Sequence, residues 1–270
     1  MKDPQTADYS AFDRPEILSF LFYPRKEGRG QTGGGFSEIR IPVDEGIIIG
    51  GRFYGAGDSA PLILFFHGNG EIVADYDDIA GLYNRRGISF MPVDYRGYGK
   101  STGSPTVAGM MKDCRVIFDF VRNFMDKENM SGPLIVMGRS LGSASALELA
   151  SGYAERIDGL VIESGFAFIT PLLRLLGVDP RRIGVTEEMG FSHIAKIETF
   201  TKPTLIIHAD QDHIIPYSDG LVLYGASKSE NKKMLAIKGA NHNTIFEKGI
   251  AEYMQAMREF AGLVTRQDTA

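Results

Sequence analysis

Short, continuous apolar runs recur along the chain, and most are followed by a stretch with helical spacing. Residues 62–66 (LILFF), 88–93, 134–137 (LIVM), 160–163, 204–208 and 234–237 have the pattern of strands buried on both faces. Residues 72–86, 107–125, 141–150, 216–227 and 244–262 carry apolar positions three and four apart and predict helices. Before this series, residues 36–43 (FSEIRIPV) alternate like a half-buried strand. Asp44-Glu45-Gly46 is a turn, and residues 46–54 read as a second strand of an antiparallel hairpin. Strands alternating with helices predict an α/β fold: a mostly parallel, eight-stranded sheet with helices on both faces.

Two regions break the rhythm. Between the strands at 160–163 and 204–208 lie roughly forty residues, far above the usual loop of about 2–6. Within them Pro171-Leu172-Leu173-Arg174-Leu175-Leu176 is apolar, and residues 183–189 are not. An insertion over the C-terminal edge of a sheet, here 168–200, suits a lid that lines a substrate pocket; a plain extra core helix fits as well. At the other end, residues 1–35 are expected to form an N-terminal arm on a single domain spanning 1–270. A short helix is expected near 15–20, residues 21–23 are a candidate strand, and residues 28–35 form a Gly-rich loop with no helix behind it to make a phosphate site.

Composition narrows the function classes. The net charge of −5 and the absence of a basic block argue against nucleic acid. Cys114 is the one cysteine, so no internal disulfide is possible, and its helical apolar neighbours make it a core residue. The polar start lacks the apolar stretch of a signal peptide, and no segment reaches the ~20 apolar residues of a membrane span. A cytoplasmic enzyme acting on small molecules is the expectation; oligomeric state is not legible.

Candidate chemistry centres on Gly138-Arg139-Ser140-Leu141-Gly142, between a buried strand and a helix. A serine on so sharp a turn takes a strained backbone and presents its hydroxyl at the sheet edge; the alternative is a Gly-rich turn with an incidental serine. The helix behind it aims free N–H groups at whatever the serine attacks. A serine needs a base to take its proton and an acid to orient the base. Of five histidines, His242 is preferred, in the loop between the last strand and the last helix. His67 begins another loop, His193 lies in the insertion, His208 ends a strand and braces loops, and His213 is expected at the surface. For the acid, Glu163, Asp210 and Asp212 all follow strands. Asp212 is preferred, being further out in its loop, whereas Asp210, two residues past the strand, is placed to point along the sheet or to cap the turn.

With these residues in view, the chain resembles the α/β-hydrolase superfamily of serine hydrolases. The matching motifs are His67-Gly68-Asn69-Gly70, Asp94-Tyr95-Arg96-Gly97-Tyr98-Gly99, Gly138 to Gly142, Glu163-Ser164-Gly165-Phe166, Asp212 with Pro216, and Gly239-Ala240-Asn241-His242. Within it, the chain is similar to compact members such as prolyl-oligopeptidase-like hydrolases and protein depalmitoylases. The resemblance implies Ser140, Asp212 and His242 as a triad, backbone N–H groups of Asn69 and Leu141 as an oxyanion hole, and no cofactor or metal. His67-Gly68 would shape the loop and Arg96 would anchor its neighbours. The implied activity is hydrolysis of a carboxylic ester or thioester through an acyl-enzyme. A serine peptidase or a non-catalytic binding scaffold on the same fold are the alternatives.

Overall fold

The computed structural model describes residues 8–28 and 35–268. Its sheet holds eight strands among the described residues: β1 (Ser37–Asp44), β2 (Ile47–Phe53), β3 (Leu62–Phe66), β4 (Ser89–Val93), β5 (Leu134–Arg139), β6 (Gly159–Glu163), β7 (Thr204–Ala209) and β8 (Lys232–Ile237). The alternating β1 exposes every second residue, as an edge strand with one wet face should. The continuous apolar strands β3 to β7 are buried throughout. The order is β1-β2-β4-β3-β5-β6-β7-β8, antiparallel where β1 meets β2 and β2 meets β4 and parallel elsewhere. The chain therefore leaves β3 in one direction to form β4 and returns past it to form β5. That reversal opens a crevice beyond the C-terminal ends of β3 and β5, where ligands of open α/β sheets bind.

Eight α-helices among the described residues flank the sheet: α1 (Pro15–Leu21), α2 (Asp77–Asn84), α3 (Val107–Lys127), α4 (Gly142–Gly152), α5 (Ile169–Leu175), α6 (His193–Thr199), α7 (Tyr217–Ala226) and α8 (Ile245–Asp268). Thr106 caps α3 by accepting the Gly109 N–H at 2.9 Å, and α3 buries Val107, Met110, Met111, Cys114, Ile117, Phe118 and Val121 at helical spacing. That stripe joins one core layer, while α2 and α8 close the other face around Tyr83, Tyr253, Met257 and Phe260. Helix α4 is buried all round, Glu148 included.

Several expectations need correction. Residues 21–23 are not a strand: Pro15 sits at the first position of α1, which ends at Leu21. The helix expected at 72–86 is a 3₁₀ turn (Val73–Tyr76) followed by α2, because Asp75 folds back to accept the Ile72 N–H at 2.9 Å. Helix α8 runs on to Asp268, with a kink at Gly249. Residues 8–23 are no loose arm, since Tyr9, Phe12, Ile17, Leu21 and Phe22 are core residues. Residues 1–7 and most of the Gly-rich loop lie outside the described residues.

The insertion is partly core and partly wall. The Glu187 carboxylate caps α5, accepting the N–H groups of Ile169 and Thr170 at 2.8 and 2.9 Å. Ile169 and Leu173 are buried, whereas Leu175 is 55% exposed. Helix α6 sends Lys196 inward to a buried knot. Glu148 of α4 there pairs with Lys196 at 2.6 Å and with Arg115 of α3, and accepts the Tyr9 hydroxyl at 2.8 Å. Burial alone would raise the Glu148 carboxyl, but the Lys196 ammonium and the bonds from its partners hold it below the usual range.

Glu148→Gln leaves buried cations without a counter-charge and should cost about 3–5 kcal/mol of unfolding free energy near neutral pH, read by urea denaturation. A carboxylate that titrates lower folded than unfolded contributes fully above its unfolded value of about 4.3, and that contribution is lost as the pH falls. The gap between wild type and Glu148→Gln should hold above about pH 5 and narrow as the pH falls below that. A gap independent of pH would refute the charge assignment.

Candidate active site

The loops after β3, β5, β7 and β8 meet at one end of the crevice. Ser140, just past β5, has φ 51°. The strained turn is enforced by its neighbours: a Cβ on Gly138 would overlap the Gly142 carbonyl, and a Cβ on Gly142 would overlap the Phe66 carbonyl of β3. The turn is also pinned from the next strand, where the Glu163 carbonyl accepts the Ser140 N–H at 2.8 Å.

The structure brings Ser140, His242 and Asp212 together. His242 Nε2 lies 3.0 Å from Ser140 Oγ, and its Nδ1 lies 2.7 Å from Asp212 Oδ2. The other Asp212 oxygen accepts the backbone N–H groups of Ile214 and Ile215, each at 2.9 Å. Burial would raise the Asp212 carboxyl, but the bond to His242 and these backbone donors hold it low, so it stays ionised beside the imidazole. The two rival acids are committed elsewhere. Asp210 accepts the Gly239 N–H at 2.8 Å and so ties its own loop to the turn after β8. Glu163 is buried against Arg139 Nε at 2.9 Å and accepts the Tyr253 hydroxyl at 2.6 Å. Burial pushes its carboxyl up, against the pull of Arg139.

Of the remaining histidines, His67, His193 and His208 are buried in structural contacts. His208 Nε2 lies 2.9 Å from the Ile215 carbonyl, which holds the Asp212 loop, and burial keeps the ring neutral. His193 is buried under the insertion 2.6 Å from the Phe166 carbonyl, and burial lowers its pKa to about 3. His213 is exposed. His67 is buried 3.3 Å from Asp94, and its carbonyl accepts the Tyr95 hydroxyl at 2.7 Å. Tyr98 in turn donates to Asn69 Oδ1 at 2.7 Å. The Asp94 to Gly99 segment is thus a buttress under the loop after β3. Arg96 reaches the other way, to Asp113 at 2.6 Å.

Ser140 and His242 open into a cavity of about 170 Å³. Asn69 and Leu141 line it, as do Phe20, Leu21, Leu172, Leu176 and Ile214. Leu172 and Leu176 therefore sit as the insertion reading expects, and Leu175 does not. The sequence reading missed Phe20, Leu21, Glu71 and Arg139. Only α1 had a signal, with Ile17 and Leu21 four residues apart behind Pro15. Arg139 is the larger omission. Its buried guanidinium pairs with Glu71 at 2.5 Å and Glu163 at 2.9 Å and donates to the His242 carbonyl at 2.7 Å. Glu71 then accepts the Gly68 N–H at 2.7 Å and the Tyr76 hydroxyl at 2.6 Å. Burial would raise the Glu71 carboxyl, but the Arg139 charge together with the bonds from Tyr76 and Gly68 holds it low. Among the described residues no cluster of three or more His, Cys, Asp or Glu is arranged to hold a metal ion.

A serine, an imidazole and a carboxylate in this relay can pass a proton from the hydroxyl to the ring while the serine attacks an electrophile. The chain has the α/β-hydrolase fold, and the comparisons find the same fold in its neighbours. Residues 57–183 match the family model described as serine aminopeptidase, S33. The Escherichia coli K12 protein YfhR is 28% identical over 236 residues, covering 85% of this chain and 81% of YfhR. The Pyrococcus furiosus esterase Pf2001 superimposes with a TM-score of 0.71 at 17% identity, covering 88% of this chain and 97% of that one. Est1E of Butyrivibrio proteoclasticus, with ferulic acid bound, gives 0.68 at 20% identity over 82% of this chain and 97% of that one.

Arg139→Met strands two carboxylates and should cost about 3–5 kcal/mol in urea denaturation. Adding Glu163→Gln to it should restore part of that loss, because the most buried stranded charge is gone. No restoration would mean that Arg139 does not neutralise Glu163.

Proposed function

We propose that the chain is a serine hydrolase that cleaves a carboxylic ester or thioester of an apolar acyl group. The observation that carries the reading is the 3.0 and 2.7 Å relay from Ser140 through His242 to Asp212, open to a mainly apolar cavity. Ser140 Oγ attacks the acyl carbonyl carbon as His242 Nε2 takes its proton. The carbonyl becomes an oxyanion facing backbone N–H groups of Leu141 and Asn69, where one donor is worth ~3 kcal/mol of barrier. His242 then gives the proton to the departing alkoxide or thiolate, leaving an acyl-enzyme. Water, deprotonated by His242, attacks the same carbon; the acid departs and Ser140 regains its proton. Asp212 orients the ring and stabilises its charged form.

The peptidase alternative is weaker on one point. An aminopeptidase needs an anion for the substrate's ammonium group, and the cavity's one lining carboxylate, Glu71, is bonded to Arg139, Gly68 and Tyr76.

A fluorophosphonate probe should label the wild type and leave Ser140→Ala unlabelled. Asp212→Asn keeps size and removes charge, so kcat should fall by roughly 10⁴-fold, while Asp210→Asn stays near wild type. Continued labelling of Ser140→Ala, or a collapse in Asp210→Asn with Asp212→Asn unimpaired, would refute the assignment.

A further inference from the structure

We propose that residues 8–23 form a wall of the substrate cavity and set the length of the acyl group it accepts, with Phe20 at the outer end. This rests on the hydrolase reading above. The segment lies before residues 57–183, so the family model does not describe it.

The segment is built into the molecule at five places. Tyr9 donates to Glu148 at 2.8 Å and accepts from Lys196 at 2.8 Å. The rings of Tyr9 and Phe12 pack against Phe191 of the insertion, with centroids 5.7 and 5.5 Å apart. Asp13 accepts the Val107 and Ala108 N–H groups at the start of α3, at 2.6 and 3.2 Å. Arg14 donates to the Ile183 carbonyl at 2.5 Å. Beyond α1, the Tyr23 N–H donates to Asn69 Oδ1 at 2.6 Å. Helix α1 is thereby fixed, and Phe20 and Leu21 line the same cavity as Ser140 and as Leu172 and Leu176 of the insertion.

Size makes this a constraint on substrate. An apolar cavity of about 150 Å³ holds one benzene molecule, and this one measures about 170 Å³. A ring or a short alkyl group fits inside; on this proposal a longer chain leaves past Phe20, between α1 and α5. Phe20 stands in that exit. A Cβ at Gly177, just past α5, would lie 3.9 Å from its ring. The side chain is 45% exposed, so it can be replaced with little loss of stability.

The experiment compares wild type, Phe20→Ala, Phe20→Trp and Leu175→Ala, each checked for folding by thermal denaturation, on p-nitrophenyl esters from butyryl to decanoyl. Phe20→Ala should raise the decanoyl-to-butyryl ratio of kcat/KM by roughly tenfold, Phe20→Trp should lower it, and Leu175→Ala, outside the cavity, should leave it unchanged. In parallel, calorimetry measures 1-butanol and 1-decanol binding to Ser140→Ala with and without Phe20→Ala, which requires no catalysis. Tighter decanol binding with butanol unchanged supports the wall. An unchanged ester ratio together with unchanged decanol binding overturns it. If the wild type hydrolyses none of the esters, the hydrolase reading fails, and the alkanol measurements still decide the role of Phe20.

Discussion

One buried cation governs the geometry of the site. Arg139 precedes Ser140, and its guanidinium meets Glu71 from the loop after β3, Glu163 at the end of β6 and the carbonyl of His242 after β8. Removing a charge from water costs several kcal/mol, and only full satisfaction of its donors offsets that. The planar fork of arginine meets the requirement because its donors point in fixed, different directions. Through Glu71 the tie extends to the Gly68 N–H, and through Glu163 to Tyr253 and on to Tyr83, 3.1 Å away. Reacting groups need placement to about 0.5 Å. Here a single side chain supplies a common reference for the serine turn, the loop that carries Asn69 and the loop that carries His242.

The parallel strands were legible because a strand buried on both faces leaves an unbroken apolar run. Ser140 was legible because its strand, turn and helix are consecutive in sequence. Asp212 and His242 followed once the alternation assigned them to loops at the same sheet edge. Arg139, Glu71 and Glu163 carry no local pattern, because their partnership exists only after distant strands are adjacent. Residues 21–23 misled for another reason: Leu21, Phe22 and Tyr23 suit a strand intrinsically, and tertiary packing with a proline at the helix start decided otherwise. Which of Asp210 and Asp212 meets His242 is a matter of loop direction: Asp210 bonds Gly239, and Asp212 lies against His242.

The insertion shows how one short helix serves two purposes. The face of α5 bearing Ile169 and Leu173 belongs to the core, and the positions next to Leu173 and Leu175, Leu172 and Leu176, reach the cavity. Capping by Glu187 stabilises a helix too short to persist alone, so the wall it forms has a defined shape.

The buried knot also has a consequence for how the chain reaches its final state. Tyr9 is 139 positions from Glu148 and 187 from Lys196. Contacts that span so much sequence form late, because loop closure must precede them. On a ribosome moving at about 5–20 residues per second, Tyr9 waits roughly ten to forty seconds before Lys196 is even synthesised. During that interval Tyr9, Phe12, Ile17 and Leu21 have no finished surface to pack on. This segment is thus among the last to dock, and until then its aromatic side chains stay exposed to whatever would bind them, a chaperone included.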